Sequence, residues 1–291
     1  MLKIRFSVIL ATICLILGLA LFRHVGIHSE PSANEAKSKA KHTPLPDLIV
    51  DQARLRQHWV VRVEDLPASF CSVQEGEITP GVHTLLRFTV GTPNIGDADL
   101  VVGDPNQHVG DGLFEFASCH DHFHFRHYAL YELVDPRTGF VWRAAKRGFC
   151  MIDIEKFQAY TGDADNKPHF RSCGAVGVPG NQGISKGWSD VYDWKLAGQF
   201  FVLDGGDGQP PVPPGDYIIR ITVNPGFVPV GNEPCRNPDP NRPGVCHQLP
   251  ESDYENNVTQ VTITIPDHPG RQGVGPLKNE PAITVEPIDN Q

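Results

Sequence analysis

The sequence predicts a mainly β protein: a single β-sandwich-like domain with long irregular loops, preceded by an N-terminal hydrophobic signal or anchor. Three observations predict it. The 28 Gly and 26 Pro among 291 residues imply many turns. The apolar residues recur with period two in short runs. No stretch shows the apolar spacing of three and four that a helix with one buried face requires.

Taken in order, Lys3 and Arg5 precede an apolar run from Phe6 to Phe22. Its 17 residues stand at the lower edge of the roughly 17–25 that cross a bilayer. No A-x-A site follows, so residues 1–22 read as a signal peptide or signal anchor, with the retained anchor favoured. Residues 23–43 form a polar linker. The domain then runs from 44 to 267, and residues 268–291 read as a flexible C-terminal tail. Strands are expected at Leu85–Val90, Tyr128–Val134, Phe140–Trp142, Tyr217–Val223 and Val258–Ile265. In the last, Val261, Ile263 and Ile265 face one way while Thr262 and Thr264 face the other. Asp135-Pro-Arg-Thr-Gly139 reads as the turn of a hairpin.

The formal charge of −9 argues against nucleic acid as a partner and is compatible with cationic ligands. Of the seven cysteines, Cys14 lies in the apolar run. The other six, Cys71, Cys119, Cys150, Cys173, Cys235 and Cys246, form an even set behind an export signal, which points to disulfides in an oxidising compartment. Cys235 with Cys246 would close a Pro-rich loop.

The segment Phe114 to Tyr128 carries the clearest chemistry. In an extended strand residues i, i+2 and i+4 share a face, so His120, His122 and His124 would present three imidazoles to one metal ion, with Phe123 and Phe125 opposite. Imidazole suits copper, zinc, iron and nickel alike. A solvated, His-rich strand face is the plain alternative. His127 breaks the alternation, so it reads as a second-layer group, a base or a solvated histidine. A metal hydrolase would need a carboxylate base from Glu115 or Asp121, and alternation puts Asp121 on the wrong face.

Ser118-Cys-His-Asp-His-Phe-His124, followed by His127-Tyr128, resembles the copper-binding segment of lysyl oxidases. Further motifs resemble that family in the same order: Leu45-Pro-Asp-Leu48, Leu85-Leu-Arg-Phe88, Lys146-Arg-Gly-Phe-Cys150 (K-x-x-F-C), Gly183-Ile-Ser185 to Asp190-Val-Tyr192, Pro214 to Pro225, and Glu251-Ser-Asp-Tyr-Glu-Asn-Asn257 (E-S-D-Y-x-N-N). The resemblance runs from about residue 44 to 266. It implies a copper ion (Cu2+) on His120, His122 and His124, and a lysine tyrosylquinone cross-link between Lys146 and Tyr192. It further implies a structural Ca2+ held by Asp47, Leu48, Glu251, Asp253, Asn256 and Asn257, all of them oxygen donors as calcium prefers. Asp190, His127 and Asp193 are candidates for the base. A Cys119–Cys173 disulfide looks like one of the family's, which leaves Cys71 with Cys150.

This chain departs from the family in its lead-in, Phe114-Glu-Phe-Ala117, and in Trp188, which stands near a position that is Cys in animal enzymes. Its Cys235–Cys246 loop is an insertion. The resemblance implies a copper-dependent amine oxidase that converts primary amines, including peptidyl lysine, to aldehydes, consuming O2 and releasing H2O2 and ammonia. Its partners would be a primary amine or lysine-bearing protein, molecular oxygen and, if the anchor is retained, a membrane. It would work outside the cytoplasm, secreted or membrane-anchored. The alternative is a non-enzymatic copper-binding extracellular or cell-surface module of the same fold.

Overall fold

Alternating burial builds the largest sheet. The computed structural model describes residues 43–270, 283, 284, 286 and 287; the expected signal or anchor at 1–22 and nearly all of the linker lie outside them. No helix among the described residues is long and apolar enough to cross a membrane.

In chain order the elements are α1 (Gln52–Gln57), β1 (Trp59–Leu66), α2 (Cys71–Gln74), β2 (Gly81–Phe88), β3 (Val90–Pro93), β4 (Leu100–Gly103), β5 (Phe114–Ala117) and β6 (His122–Phe125). There follow β7 (Ala129–Val134), β8 (Val141–Arg143), β9 (Glu155–Lys156), β10 (Gln182–Ile184), β11 (Trp188–Tyr192) and β12 (Phe200–Val202). The last four are β13 (Gly215–Val223), β14 (Asn237–Pro238), β15 (Cys246–His247) and β16 (Val258–Ile265). The domain is thus mainly β. The four expected strands from Tyr128 onward are present within two residues at each end, β16 with the expected limits. The Leu85–Val90 run is divided between β2 and β3.

The antiparallel sheet β16-β13-β7-β8 buries Tyr217, Ile219, Ile221 and Val223 from β13, and Val261, Ile263 and Ile265 from β16. A second sheet, β1-β2-β12, supplies Trp59, Val61, Leu86, Phe88 and Phe201 to the same core. Phe88 joins the two, edge-on to Tyr131 of β7 at 5.4 Å and stacked on Phe201 at 4.9 Å. Each such buried aromatic contributes about 1.5–3 kcal/mol through apolar area removed from water.

Two features had no periodic signal. β1 pairs with β2 over eight residues, yet its sequence Trp-Val-Val-Arg-Val-Glu-Asp-Leu does not alternate cleanly, since three successive residues, Trp59 to Val61, are buried. The helices α1 and α2, of six and four residues, are too short for apolar periodicity to register. α1 is fixed by Asp51, whose side chain accepts the Arg54 N–H at 3.0 Å.

The cysteine pairing corrects two expectations. Cys235–Cys246 forms, but the other bridges are Cys71–Cys119 and Cys150–Cys173, not Cys119–Cys173 and Cys71–Cys150. The reason is local. Glu75, at the end of α2, accepts the Cys119 N–H, which holds Cys119 beside Cys71. The Gln182 side chain accepts from Met151 N–H and donates to the Cys173 carbonyl, so it draws Cys150 and Cys173 together.

In the stretch expected as a tail, Gly270 exchanges backbone hydrogen bonds with Val61. The buried Glu286 accepts from the Ser72 amide and hydroxyl at 3.0 and 2.7 Å.

Candidate metal and cofactor centre

The three histidines converge, by a different route from the one the alternation suggested. Phe114–Ala117 and His122–Phe125 form a hairpin rather than one long strand. His120 sits in its turn, next to Asp121 at φ +56°, while His122 and His124 alternate along β6. All three are buried, and their ring centroids lie 5.0–5.5 Å apart. Metal–nitrogen bonds of about 2.0–2.1 Å would place an ion about 3.2 Å from each ring centre. Centroids 5.0–5.5 Å apart then correspond to angles of about 100–120° at such an ion; the ligand atoms within 4.8 Å of one another are those of His120, His124 and Glu75, with the His122 ring beside them.

His124 leans on a glycine. A Cβ at Gly148 would fall 2.0 Å from His124 Nδ1 and 2.5 Å from its Cγ. Gly148 belongs to the Lys146–Cys150 segment, which is tied to the hairpin where the Phe125 N–H donates to the Phe149 carbonyl at 2.6 Å. This pairing carries Lys146 to the centre.

Tyr192 arrives at the end of β11, paired with β3. Its ring stands perpendicular to Phe149 at 5.2 Å, and its hydroxyl donates to the Cys150 carbonyl at 3.0 Å. Lys146 Nζ lies 5.3 Å from the Tyr192 ring centroid and 5.6 Å from that of Phe149. Both Lys146 and Tyr192 are buried. Two residues 46 positions apart in sequence thus meet amine to ring.

The base candidates separate. Asp190 is buried two residues before Tyr192 on β11. His127 is exposed, with φ +60° in the turn after β6. Asp193 is half-buried and accepts the Lys195 N–H at 3.1 Å.

Two acids at the centre were not singled out from sequence. Glu75 Oε2 lies 3.0 Å from His120 Nδ1. Burial alone would raise its carboxyl, but the hydrogen bond and charge of His120 outweigh that and hold it below its usual value. Glu77 is buried, and desolvation pushes its carboxyl up to about 7 against the opposing pull of Lys146. Its side chain occupies space that only a glycine at 198 leaves open, since a Cβ there would lie 2.3 Å from Glu77 Oε2. The signal for both was the Glu75-Gly76-Glu77 triplet four residues past Cys71. It could be read only once Cys71 was known to pair with Cys119.

Arg87 braces the chain after Tyr192. Fully buried, it pairs with Glu64 at 2.9 Å and donates to the Trp194 carbonyl at 2.9 Å.

The oxygen donors near the two ends of the domain also meet. Glu251 accepts from the Leu48 N–H at 2.6 Å, Asn224 Nδ2 at 2.5 Å and Asn257 Nδ2 at 2.9 Å. Asn256 Nδ2 donates to Asp47 Oδ1 at 2.9 Å, and Asp253 acts electrostatically on Asp47. Burial pushes Glu251 up to about 8 and raises Asp47 as well. The side-chain carbonyl oxygens of Asn256 and Asn257 are buried without a hydrogen-bond partner. Orphaned oxygens beside two carboxyls resisting ionisation fit a hard cation.

A family model described as lysyl oxidase matches residues 64–237. That range holds the three histidines, Lys146 and Tyr192, but not Asp47 or Glu251–Asn257. Protein-lysine 6-oxidase from Sus scrofa is 27% identical over 239 residues, 77% of this chain and 78% of that protein. The Homo sapiens protein of the same name is 27% identical over 239 residues, 77% of this chain and 46% of its own length. Lysyl oxidase homolog 1 from Homo sapiens is 28% identical over 231 residues, covering 75% and 33%. The chain spans about half or less of the length of these last two.

Proposed function

The chain belongs to the lysyl oxidase family, and we propose that it is a copper- and quinone-dependent oxidase of primary amines, peptidyl lysine among them, acting outside the cytoplasm. The observation that carries this reading is Lys146 Nζ 5.3 Å from the centre of the Tyr192 ring, in the same buried centre as three clustered imidazoles.

In this reading His120, His122 and His124 hold the copper, and Lys146 and Tyr192 supply the cross-linked cofactor. When bound, these groups supply redox exchange with dioxygen and an electrophilic carbonyl for a primary amine. The chain's own residues do the rest. The hydrogen bond from Tyr192 to the Cys150 carbonyl and the edge of Phe149 fix the ring's orientation, so the amine of Lys146 faces it in one pose. Phe149 and Tyr128 wall the ring from water. Asp190, buried on the strand that carries Tyr192, is the acid we assign as proton acceptor from the substrate carbon. The products are an aldehyde, ammonia and H2O2.

Asp47, the Leu48 carbonyl, Glu251, Asp253, Asn256 and Asn257 would hold a structural calcium that ties the start of the domain to its end. Three disulfides in the described domain, together with the apolar N-terminal run, support an oxidising, extracytoplasmic location.

The test is made on copper-loaded, aerated protein. Peptide mass spectrometry is expected to find Lys146 and Tyr192 covalently joined, and simple alkylamines are expected to release H2O2. Separate, unmodified peptides together with no peroxide would leave a copper-binding module without amine oxidase activity.

A further inference from the structure

One carboxylate beside the three imidazoles has no part in the proposed chemistry. Glu75 caps the end of α2, its N–H bonded to the Cys71 carbonyl. Its Oε1 accepts the Cys119 N–H at 3.2 Å, and its Oε2 lies 3.0 Å from His120 Nδ1. The Cys71–Cys119 disulfide bolts α2 to the residue just before His120. The carboxylate is therefore held on two sides, by the helix behind it and the bridged turn in front.

His120 is also the one of the three that needs holding. His122 and His124 point where β6 and its pairing with β5 direct them. His120 lies outside the strand, in a turn with a left-handed residue next to it, where no ladder fixes its direction. Its Nδ1 lies 3.0 Å from Glu75 Oε2, and the Nδ1 of His124 lies against Gly148. Those two rings therefore have Nε2, buried in both, as the atom left for an ion.

We propose that Glu75 is the positioning residue of the metal centre: it accepts the Nδ1–H of His120, fixing the tautomer and swing of that ring so that Nε2 faces the copper. This is the role that carboxylates play behind metal-bound imidazoles elsewhere, where their loss costs 10–100-fold in metal affinity. It rests on copper binding by His120, His122 and His124. A competing arrangement makes Glu75 itself a ligand, since one oxygen of Glu75 and one nitrogen each of His120 and His124 lie within 4.8 Å of one another.

The experiment uses the full chain carrying Tyr192→Phe, so that copper is read in one state with no quinone formed. Cu(II) affinity is measured by chelator competition, and the bound ion by electron paramagnetic resonance. The parent is expected to bind one Cu(II) through three nitrogens. Glu75→Gln, which keeps an acceptor oxygen but loses the charge, should weaken binding about 10-fold, and Glu75→Ala up to about 100-fold. Both should keep the parent's three-nitrogen pattern. Mapping of the Cys71–Cys119 bridge and the melting temperature of the copper-free protein establish folding; if the Ala variant fails to fold, the Gln variant decides.

Unchanged affinity in the folded variants would overturn the proposal. A shift of the parallel g and hyperfine values, as loss of an anionic ligand produces, would make Glu75 a ligand and overturn it too. Failure of the parent to bind Cu(II) through the histidines would instead remove the underlying copper reading.

Discussion

Replacing Glu251 by Ala should unfasten the two ends of the domain. Its carboxyl group is buried and accepts three donors, the Leu48 N–H, Asn224 Nδ2 and Asn257 Nδ2, which come from the start of the domain, the loop after β13 and the approach to β16. Truncation leaves all three buried without that acceptor. Each orphaned buried group costs about 1–3 kcal/mol, and water entering the new space returns part of it. The expected loss is therefore about 3–6 kcal/mol. For a chain of this size each kcal/mol moves the melting temperature by about 2–4 °C, so a fall of at least about 6 °C is expected.

The assay is urea and thermal unfolding in excess calcium chelator, which reads the hydrogen bonds without a cation. A loss below about 1 kcal/mol would refute the reasoning, because it would mean that these donors find water or other partners at no cost. Adding calcium supplies the second reading. Calcium at 100 times its dissociation constant should stabilise the parent by about 2.7 kcal/mol and leave the variant unmoved.

Further predictions concern the centre and its supports. Gly148→Ala places a methyl 2.0–2.7 Å from His124 atoms, against ordinary contacts of about 3.5 Å or more. The ring must retreat by more than the roughly 0.2 Å that metal geometry tolerates. Cu(II) affinity should fall at least 10-fold by chelator competition, and an unaltered affinity would show that the backbone gives way instead. Arg87→Met leaves the buried Glu64 carboxylate with Arg62 as its remaining ion-pair partner and the Trp194 carbonyl without its donor. Urea unfolding should show a loss of about 1–3 kcal/mol.

The pH dependence is expected in the Cys235–Cys246 loop. Burial pushes Asp239 up, but hydrogen bonds from His247, Asn241 and Arg242 outweigh it and hold its carboxyl well below its usual 3.8. Because the folded value lies below the unfolded one, this stabilisation is present above about pH 3.8 and is lost as pH falls further. Amide chemical shifts of Asn241 and Arg242 should hold steady through pH 3.8 and move only well below it, whereas Asp239→Asn should displace them already at neutral pH.

Sequence by itself determined what is local and periodic. Val258–Ile265 reads as a strand because alternate residues have to face opposite sides of a sheet, and that constraint needs no knowledge of the partner strand. The histidine cluster is legible for the same reason, as alternating ligands two residues apart. Lys146 and Tyr192 were legible only through motifs in a known order, because neither side chain carries a signal of its own. The short helix α2 carried none either: four residues cannot show a period of 3.6.

What tertiary structure alone decided is how distant segments meet. The turn at Asp121 takes His120 off the strand, and Glu75 and the Cys71–Cys119 bridge then hold it. Cysteine spacing leaves many pairings open, and only the contacts of α2 and Gln182 choose among them. The position of an amine over a ring 46 residues away is set by the packing of Phe149 between β6 and β11. Such contacts depend on which surfaces are buried together, a property of the folded whole that no window of sequence contains.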